Sequence, residues 1–476
     1  MSSSGATTAP TAPARRDPLP IPPYRPPSRA KWKLLWGAIN FTLLGTAAYF
    51  IERFLRREAK GDKYTYWFYV LFTWRYLRFA TALIGWFLYR PAKIPPNPRY
   101  RPEDVTVILP TIDPEGEDFA ECIRTTCENR PHSVFVVTAG NRLEITQKAV
   151  QPYVEQFPHI NFRVDVSPVA SKRAQVALEI PHIQTAITIM LDDHVFWKEG
   201  FLPAILAPFE DPQVGIVGTN KKVRRLPNLP FMRRLWNLLG AIYLYRHNFE
   251  VRAANAIDGG AFVISARTCA MRTEIVKLQE YIDGYTNEMF FFGMFGPLNP
   301  DDDNYNTRFC VSKGWKVKFQ YTRDAEIETT IGVVPPYRKK FFGQVQRWAR
   351  TTWRSNPASL FTDGSVWAYQ PVSVYTVYLT SFTNFAVLDF FLWWLFMQTP
   401  LYRTRVWGYF SERWQPVACL VLLSMFSKIV KSLGYWWRHP QDVFPFLLCQ
   451  ILCGYFHSWF KLWALLTFYD HAWTGR

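Results

Sequence analysis

Three consecutive carboxylates, Asp301, Asp302 and Asp303, stand in the polar segment Asn299–Arg308. Adjacent carboxylates repel one another, so a run of this kind is usually a solvated loop. An EF-hand calcium loop is excluded, because the glycine and the final glutamate of that motif are absent. The alternative is catalytic: one of these carboxylates would act as a general base and take the proton from an attacking hydroxyl group.

A second pair of carboxylates follows the short apolar run Thr188–Leu191, where the sequence reads Asp192-Asp193-His194. Carboxylates at the end of a strand can bind Mg²⁺ or Mn²⁺ and hold the ion against a diphosphate. The same pattern is typical of aspartates in turns or at helix N-caps. The residues alone leave both interpretations open.

Two basic elements could bind phosphate. Lys172 and Arg173 open a helix-like stretch ahead of Asp192, although a solvated Lys-Arg pair is the commoner arrangement. The segment Gln344–Trp348 has the pattern Gln-x-x-Arg-Trp, in which the guanidinium group fits a phosphate and the indole ring could stack on a sugar. The alternative for this segment is an amphipathic helix at a membrane surface, where basic and aromatic residues collect.

Alternating strands and helices would position these residues. Short apolar runs predict four strands, at Val105–Leu109, Val134–Thr138, Phe162–Val166 and Thr188–Leu191. The stretches Phe119–Asn129 and Thr146–Gln156 are helix-like. This alternation predicts an α/β domain with a mainly parallel sheet, in which ligands bind beyond the carboxyl ends of the strands.

Long apolar runs at both ends of the chain predict transmembrane helices, each needing roughly 20 residues. They are Leu34–Ile51, Tyr66–Tyr89, Tyr375–Met397, Pro416–Val430 and Val443–Phe468. The C-terminal region is predicted to cross the membrane three times, with four as the alternative. Arg75 and Arg78 in the second run should face protein or a polar pathway, or else snorkel to the interface. Flanking basic residues place the N-terminus and the central domain in the cytosol.

These patterns predict five regions. They are a disordered Pro-rich tail (1–30), two transmembrane helices (31–90), the α/β domain (100–335), amphipathic interface helices (336–365) and a C-terminal transmembrane region (366–476). The formal net charge of +17 indicates anionic partners such as nucleotide phosphates, an acidic polymer or anionic lipid. Nucleic acid is not predicted, because no nucleic-acid motif accompanies the charge. The seven cysteines show no paired metal-ligand spacing and are predicted to be reduced.

The order of these elements resembles that of the membrane-embedded processive family-2 glycosyltransferases, which include hyaluronan, chitin and cellulose synthases. The order is strand-Pro-Thr, Lys-Arg, Asp-Asp, acid cluster, Gln-x-x-Arg-Trp, then membrane. The resemblance covers Leu34 to the C-terminus and is closest to fungal capsule-synthase-like members; the ending Trp473–Arg476 resembles the Trp-Gly-Thr-Arg ending of hyaluronan synthases. It implies a cytosolic glycosyltransferase-A type domain, a UDP-sugar donor, Mn²⁺ or Mg²⁺, and an acceptor that is a nascent polysaccharide.

The resemblance also implies roles for individual residues. Donor binding falls to Thr111, Asp113, Glu115, Lys172, Arg173, Asp192, Gln344 and Arg347. Metal binding falls to Asp192, Asp193 and His194, and acceptor binding to Gly259, Gly260 and Trp348. Asp303 is the implied general base, with Asp302 beside it. The chain departs from the family pattern at His194, which replaces an aspartate, at Asn304, which replaces an arginine, and at Ser171, which replaces a glycine.

The resulting hypothesis is an inverting membrane glycosyltransferase that extends a polysaccharide and moves it across the plasma membrane. A non-processive enzyme that glycosylates a membrane lipid shares many of these motifs, and product length separates the two. An inactive scaffold or transporter that keeps the fold is the third hypothesis, and donor hydrolysis would exclude it.

Overall fold

A computed structural model describes residues 16–226, 228–332, 335–404 and 410–471, except for the side chains of residues 404 and 410–413. The ending Trp473–Arg476 and residues 1–15 of the predicted tail lie outside this range. The strands are β1 (Val105–Pro110), β2 (Ser133–Ala139), β3 (Asn161–Ser167), β4 (Ile187–Leu191), β5 (Val195–Phe196), β6 (Val214–Thr219), β7 (Lys221–Val223), β8 (Thr268–Arg272), β9 (Lys316–Gln320) and β10 (Ile327–Thr329).

Helices precede, surround and follow these strands. The first group comprises α1 (Lys33–Glu58), α2 (Lys63–Leu88), α3 (Glu117–Glu128), α4 (Leu143–Gln156), α5 (Lys172–Glu179), α6 (Phe201–Leu206), α7 (Phe231–Asp258), α8 (Thr273–Val276), α9 (Gln279–Thr286) and α10 (Asp302–Ser312). The second comprises α11 (Tyr337–Pro357), α12 (Ser365–Tyr369), α13 (Pro371–Ser373), α14 (Thr380–Thr383), α15 (Leu388–Gln398), α16 (Pro400–Thr404), α17 (Phe410–Ile429), α18 (Leu433–Arg438) and α19 (Val443–Leu466).

A seven-stranded sheet with the order β3-β2-β1-β4-β8-β6-β9 forms the centre of the α/β domain. Its strand pairs are parallel except where β8 runs antiparallel between β4 and β6. The four predicted strands are β1 to β4, and they pair as neighbours, with Val107 opposite both Val134 and Ile189. A second sheet has the order β5-β10-β7.

The large sheet is buried on both faces, as its continuous apolar strands require. Ile108 and Met190 pack into the core on one face, while Val107 and Ile189 pack into the core on the other. Successive side chains of a strand point to opposite faces, so each strand contributes to both cores. Because β1 and β4 are parallel neighbours, the residues that follow them lie together at one edge of the sheet.

Three segments are long and apolar enough to cross a membrane: Ser28–Glu58, Trp414–Arg438 and Pro440–Leu466. The pair Pro371–Thr383 and Leu388–Gln398 meets the same criterion only as a unit bent by 92°, which makes three or four crossings among the described residues. Helices of this length and apolar composition indicate a membrane protein.

The predicted span Tyr66–Tyr89 forms helix α2 but is not among the candidate spans. The Arg75 guanidinium lies 2.7 Å from Asp389, and the Arg78 guanidinium lies 3.4 Å from Glu250. Both arginines therefore face protein rather than snorkel to an interface.

Residues 16–30, which were predicted to belong to a disordered tail, instead lie along the α/β domain. The buried Asp104 carboxylate accepts a hydrogen bond from the Leu19 amide (2.7 Å) and pairs with Arg16. The Arg29 guanidinium donates to the Trp315 carbonyl at 2.7 Å. These specific polar contacts are what a purely compositional prediction of disorder does not include.

Replacing Asp104 by asparagine should release the segment that begins at Arg16. The amide removes one charge partner and leaves a buried donor unsatisfied, which costs about 1–3 kcal/mol. Hydrogen–deuterium exchange of residues 16–20 should accelerate. The matched change Glu155→Gln on the exposed face of α4 should leave that exchange unchanged; protection that persists in Asp104→Asn would contradict the proposed attachment.

Candidate active site

The acid cluster begins helix α10 and lies at the edge of the sheet. Asp301 has a left-handed backbone conformation (φ 63°) and precedes the helix, while Asp302 and Asp303 occupy the first turn. Carboxylates are favoured there because the helix N-terminus carries partial positive charge. Lys172 connects the cluster to the residue that follows β4. Its Nζ lies 3.2 Å from Asp302 in the cluster and 2.5 Å from Asp192 after the strand.

Asp303 has the environment expected of a general base. Its carboxylate accepts hydrogen bonds from the backbone amides of Asn304 (3.0 Å) and Ala266 (3.4 Å). Burial and the neighbouring Asp302 and Asp301 carboxylates raise its pKa from the ordinary aspartate value to about 6. A raised pKa makes a carboxylate a stronger base that is still ionised near neutral pH.

Lys172 and Asp192 form a strong ion pair. Burial acts against both charges, yet attraction by Asp192 and Asp302 raises the pKa of Lys172 above its ordinary value. Burial also acts against the charged form of Asp192, but Lys172 lowers the pKa of Asp192 to about 2. Both groups are therefore charged at neutral pH, and the lysine is positioned to exchange a carboxylate for a phosphate oxygen.

The predicted metal ligands Asp192, Asp193 and His194 do not converge. Asp193 accepts a hydrogen bond from Thr111 Oγ1 (2.8 Å), and its other oxygen lies 3.1 Å from His194 Nδ1. Asp192 instead pairs with Lys172, and His194 is near enough to lower the pKa of Asp192 as well. In the described part of the chain, no three His, Cys, Asp or Glu side chains form a metal-binding group. Metal binding by Asp192, Asp193 and His194 therefore stays a prediction.

Arg173 was predicted to bind the donor, but the structure gives it a different role. Its guanidinium is 2% exposed. It donates to Glu288 (2.6 Å) and to the carbonyl oxygens of Tyr285 (2.9 Å), Pro300 (2.9 Å) and Asn299 (3.2 Å). Arg173 therefore holds the loop that leads into the acid cluster, and only its neighbour Lys172 faces the site.

The other predicted donor residues lie at two places. Asp113 and Glu115 are exposed on the turn after β1, where the Asp113 amide donates to Thr111 Oγ1 (3.1 Å). Gln344 and Arg347 are half-buried on α11.

Helix α11 is joined to the acid cluster through Asp301. Thr351 Oγ1 donates to one Asp301 oxygen (2.9 Å), and Arg354 donates to the other (3.0 Å). On the same helix, the Trp348 ring stacks on Tyr243 with centroids 4.8 Å apart. The segment Gln344–Trp348 is thus placed beside the acid cluster by long-range contacts.

Arg267, which precedes β8, was not predicted from the sequence. Its guanidinium carbon lies 5.5 Å from the centre of the Trp348 ring, and its Nε is buried without a hydrogen-bond partner among the described residues. Burial and the nearby Arg347 lower its pKa, while Asp192 and Asp303 oppose this. A single arginine with no distinctive spacing provides no signal in the sequence.

Gly259 and Gly260 lie outside the cavity beside Trp348. Gly259 ends α7 with a positive φ of 75°. A side chain at Gly260 would come within 1.9 Å of Ser373 Oγ, so this glycine allows α13 to approach. The Gly259 carbonyl accepts a hydrogen bond from Gln370 (3.3 Å), and neither glycine lines the cavity that Asn304 and Trp348 help to form. Acceptor binding by these glycines stays a prediction.

A cavity of about 510 Å³ starts at Asn304 and Trp348 and extends between α2, α7, α11, α17 and α19. Helix α7 contributes a polar face made of Tyr243, Arg246, His247 and Glu250. Their spacing of three, four and seven residues was a signal that could have identified this face from the sequence. The cavity extends from Asn304, the neighbour of Asp303, to the helices of the membrane region.

Comparisons with known proteins agree with this geometry. The model of the family described as "Glycosyltransferase like family 2" matches residues 102–351. A type 2 glycosyltransferase of Gibberella zeae is 37% identical, over 87% of this chain and 76% of the relative. One of Pyricularia oryzae is 36% identical, over 86% and 81%.

Among solved structures, a mannosyltransferase of Pyrobaculum calidifontis in complex with GDP-mannose and Mn²⁺ is similar, with a TM-score of 0.47. It is 16% identical, over 83% of this chain and 96% of that one.

The raised pKa of Asp303 predicts an acid limit for activity. The base form is lost as pH falls below about 6, so kcat/KM for the donor should fall about tenfold per pH unit below that value. A pH–rate profile of the purified protein measures this. A profile that stays flat down to pH about 4, the ordinary aspartate range, would contradict the assignment.

The corrected role of Arg173 predicts a loss of stability rather than of donor affinity. Lysine keeps the charge but has only three N–H donors for the four hydrogen bonds that Arg173 makes, and a buried acceptor left unpaired costs about 1–3 kcal/mol. Arg173→Lys should therefore lower the melting temperature, with donor KM within about twofold of the wild type. The matched change Lys172→Gln should raise donor KM. An Arg173→Lys protein of normal stability with a raised donor KM would restore the original prediction.

Proposed function

The chain belongs to glycosyltransferase family 2, and we propose that it transfers a sugar from a UDP-sugar to the end of a growing polysaccharide, with inversion at the anomeric carbon. The enzyme class is confirmed by the family match, as is the glycosyltransferase-A type α/β domain with apolar helices at both ends. The donor, the polymer and its translocation are the proposal.

The donor diphosphate is proposed to lie between Lys172, Arg347 and Arg267. Lys172 is held at the edge of the sheet by Asp192. Neither arginine has a carboxylate partner among the described residues, and both lie beside the acid cluster. Preorganised cations of this kind stabilise the charge that develops on a leaving group.

A divalent ion, Mn²⁺ or Mg²⁺, fits this arrangement only with the donor's own oxygens as ligands. Asp192 is the suitable protein ligand, because its Oδ2 accepts no hydrogen bond from the described residues, whereas Asp193 is used by Thr111 and His194. When bound, such an ion neutralises charge on the diphosphate.

The displacement itself needs one base. Asp303 takes the proton of an acceptor hydroxyl, and that oxygen attacks the anomeric carbon from the face opposite the diphosphate. The new glycosidic bond forms as the bond to the phosphate oxygen breaks, and UDP leaves. Trp348, stacked on Tyr243, offers a ring surface against which the acceptor sugar can rest.

The observation that carries the proposal is the cavity that joins Asp303's neighbour Asn304 and Trp348 to the membrane helices. An acceptor that enters this cavity presents its end to the base while the rest of it lies between α2, α7 and α19. This arrangement supports an acceptor that grows from one end. The catalytic domain and N-terminus are proposed to be cytosolic at the plasma membrane, since basic residues flank the first span.

The function is tested by donor turnover in detergent with a panel of UDP-sugars and Mn²⁺ or Mg²⁺, followed by sizing of labelled product. One donor should yield a high-molecular-weight product. A small, lipid-extractable product would replace the polymer with a lipid acceptor, and no nucleotide release from any donor would overturn the function.

Asp303→Asn should abolish transfer and leave UDP binding within about twofold, because the base does not contact the nucleotide. The control Asp283→Asn, on the exposed side of α9, should keep full activity. Loss of UDP binding in Asp303→Asn would contradict its role.

A further inference from the structure

The cavity beside Trp348 carries more positive charge than its own ion pairs balance. Six of its lining side chains are cationic, namely Arg75, Arg78, Arg246, Lys428, Lys431 and Lys461. Among the described residues only two carboxylates face them, Glu250 in the lining and Asp389 behind it.

Each of these carboxylates is shared by two cations. Glu250 lies 2.7 Å from Lys431 and 3.4 Å from Arg78. Asp389 lies 2.7 Å from Arg75 and also pairs with Lys428. Each group therefore keeps one formal positive charge in excess.

The two remaining cations have no carboxylate partner within the described chain. Arg246 lies 4.9 Å from the centre of the Tyr243 ring. Lys461 donates to the backbone carbonyl oxygens of Ser381 and Asn384, the latter at 3.3 Å. His457 faces the same space with a buried Nε2 that has no hydrogen-bond partner among the described residues.

Unbalanced charge between membrane helices is costly, and it is retained where it serves a ligand. A cleft lined by one sign of charge attracts ligands of the opposite sign. The cavity reaches Asn304, the neighbour of the proposed base Asp303, so its ligand under the proposed function is the acceptor. We propose that this acceptor is an acidic glycan, whose carboxylate groups pair with Arg246 and with the two shared-carboxylate clusters. This inference rests on the proposed function and names its acceptor class.

The distribution of charge favours a glycan over a lipid phosphate. A single phosphate needs one cationic spot, but the six basic side chains line the cavity from α2, α7, α17, the residues just after α17 and α19. The lining also offers hydroxyl groups at Thr376 and Thr380. Several cations along one cavity, together with hydroxyl groups, match a chain of sugars with repeated acid groups.

Binding of two matched probes to the protein in neutral-lipid nanodiscs tests the inference. One probe is a glucuronate-containing tetrasaccharide, and the other is the same tetrasaccharide with its carboxyl groups reduced to alcohols. The acidic probe should bind at least about tenfold more tightly. Its affinity should fall between about 50 and 500 mM NaCl, while that of the neutral probe stays constant.

Arg246→Gln should weaken binding of the acidic probe about tenfold and leave binding of the neutral probe unchanged. Arg246→Lys should restore most of the affinity difference between the two probes. The control Arg124→Gln, on the exposed surface of α3, should behave as wild type. The salt series on wild-type protein provides the test if Arg246→Gln does not fold.

Three outcomes overturn the inference. Equal affinity for the two tetrasaccharides does so, as does an acidic preference that Arg246→Gln does not reduce in a folded protein. A preference for farnesyl phosphate over farnesol, without one between the tetrasaccharides, replaces the glycan with a lipid. If the wild-type protein turns over a donor and also gives any of these results, only this inference is overturned. Absence of donor turnover is the separate failure of the proposed function.

Discussion

The buried ion pair between Arg354 and Asp301 joins the acid cluster to the membrane region. The two side chains are 2% and 5% exposed, with Nη1 and Oδ2 separated by 3.0 Å. Arg354 Nε also donates to the carbonyl of Phe468 (2.7 Å), just beyond α19. One carboxylate therefore fixes the start of α10, the helix α11 and the end of the last membrane helix. A buried pair of this kind tolerates little displacement, because separating the partners leaves a charge unpaired. The position of Asp303, two residues after Asp301, depends on it.

The proposed donor site contains two kinds of basic residue. Lys172 is already neutralised by Asp192 and Asp302, so a phosphate must compete with carboxylates for it. Arg267 and Arg347 have no such partners in the described chain and raise the local positive potential directly. This division keeps the lysine ordered before the donor binds, while the arginines supply the net charge that attracts the diphosphate.

Basic residues also line the cavity toward the membrane helices. Helix α7 contacts Trp348 through Tyr243, and one face of the helix, with Arg246 and Glu250, lines the cavity. Helix α2, which carries Arg75 and Arg78, packs against α7 and presents its arginines inward. Its polar groups make α2 a poor membrane span on its own, yet they are the groups that a polar passage requires. Arg75 and Arg78 lower the hydropathy of α2 and also line the cavity.

The amino-acid sequence by itself determined the parallel strands β1 to β4, because β-branched runs buried on both faces leave a strong local pattern. It also determined the apolar helices at both ends and the residue types able to act as base and phosphate ligands.

Only the tertiary structure decided which of these residues face the site. Lys172 and Arg173 are adjacent, but about 100° apart around a helix, so one enters the site and the other braces a loop. Asp192 pairs with Lys172, whereas Asp193 accepts a hydrogen bond from Thr111. Arg267 reaches Trp348 only because β8 inserts antiparallel beside β4 and the Asp301 pair brings α11 across the sheet edge. Such contacts depend on packing between distant segments, and no local pattern contains that information.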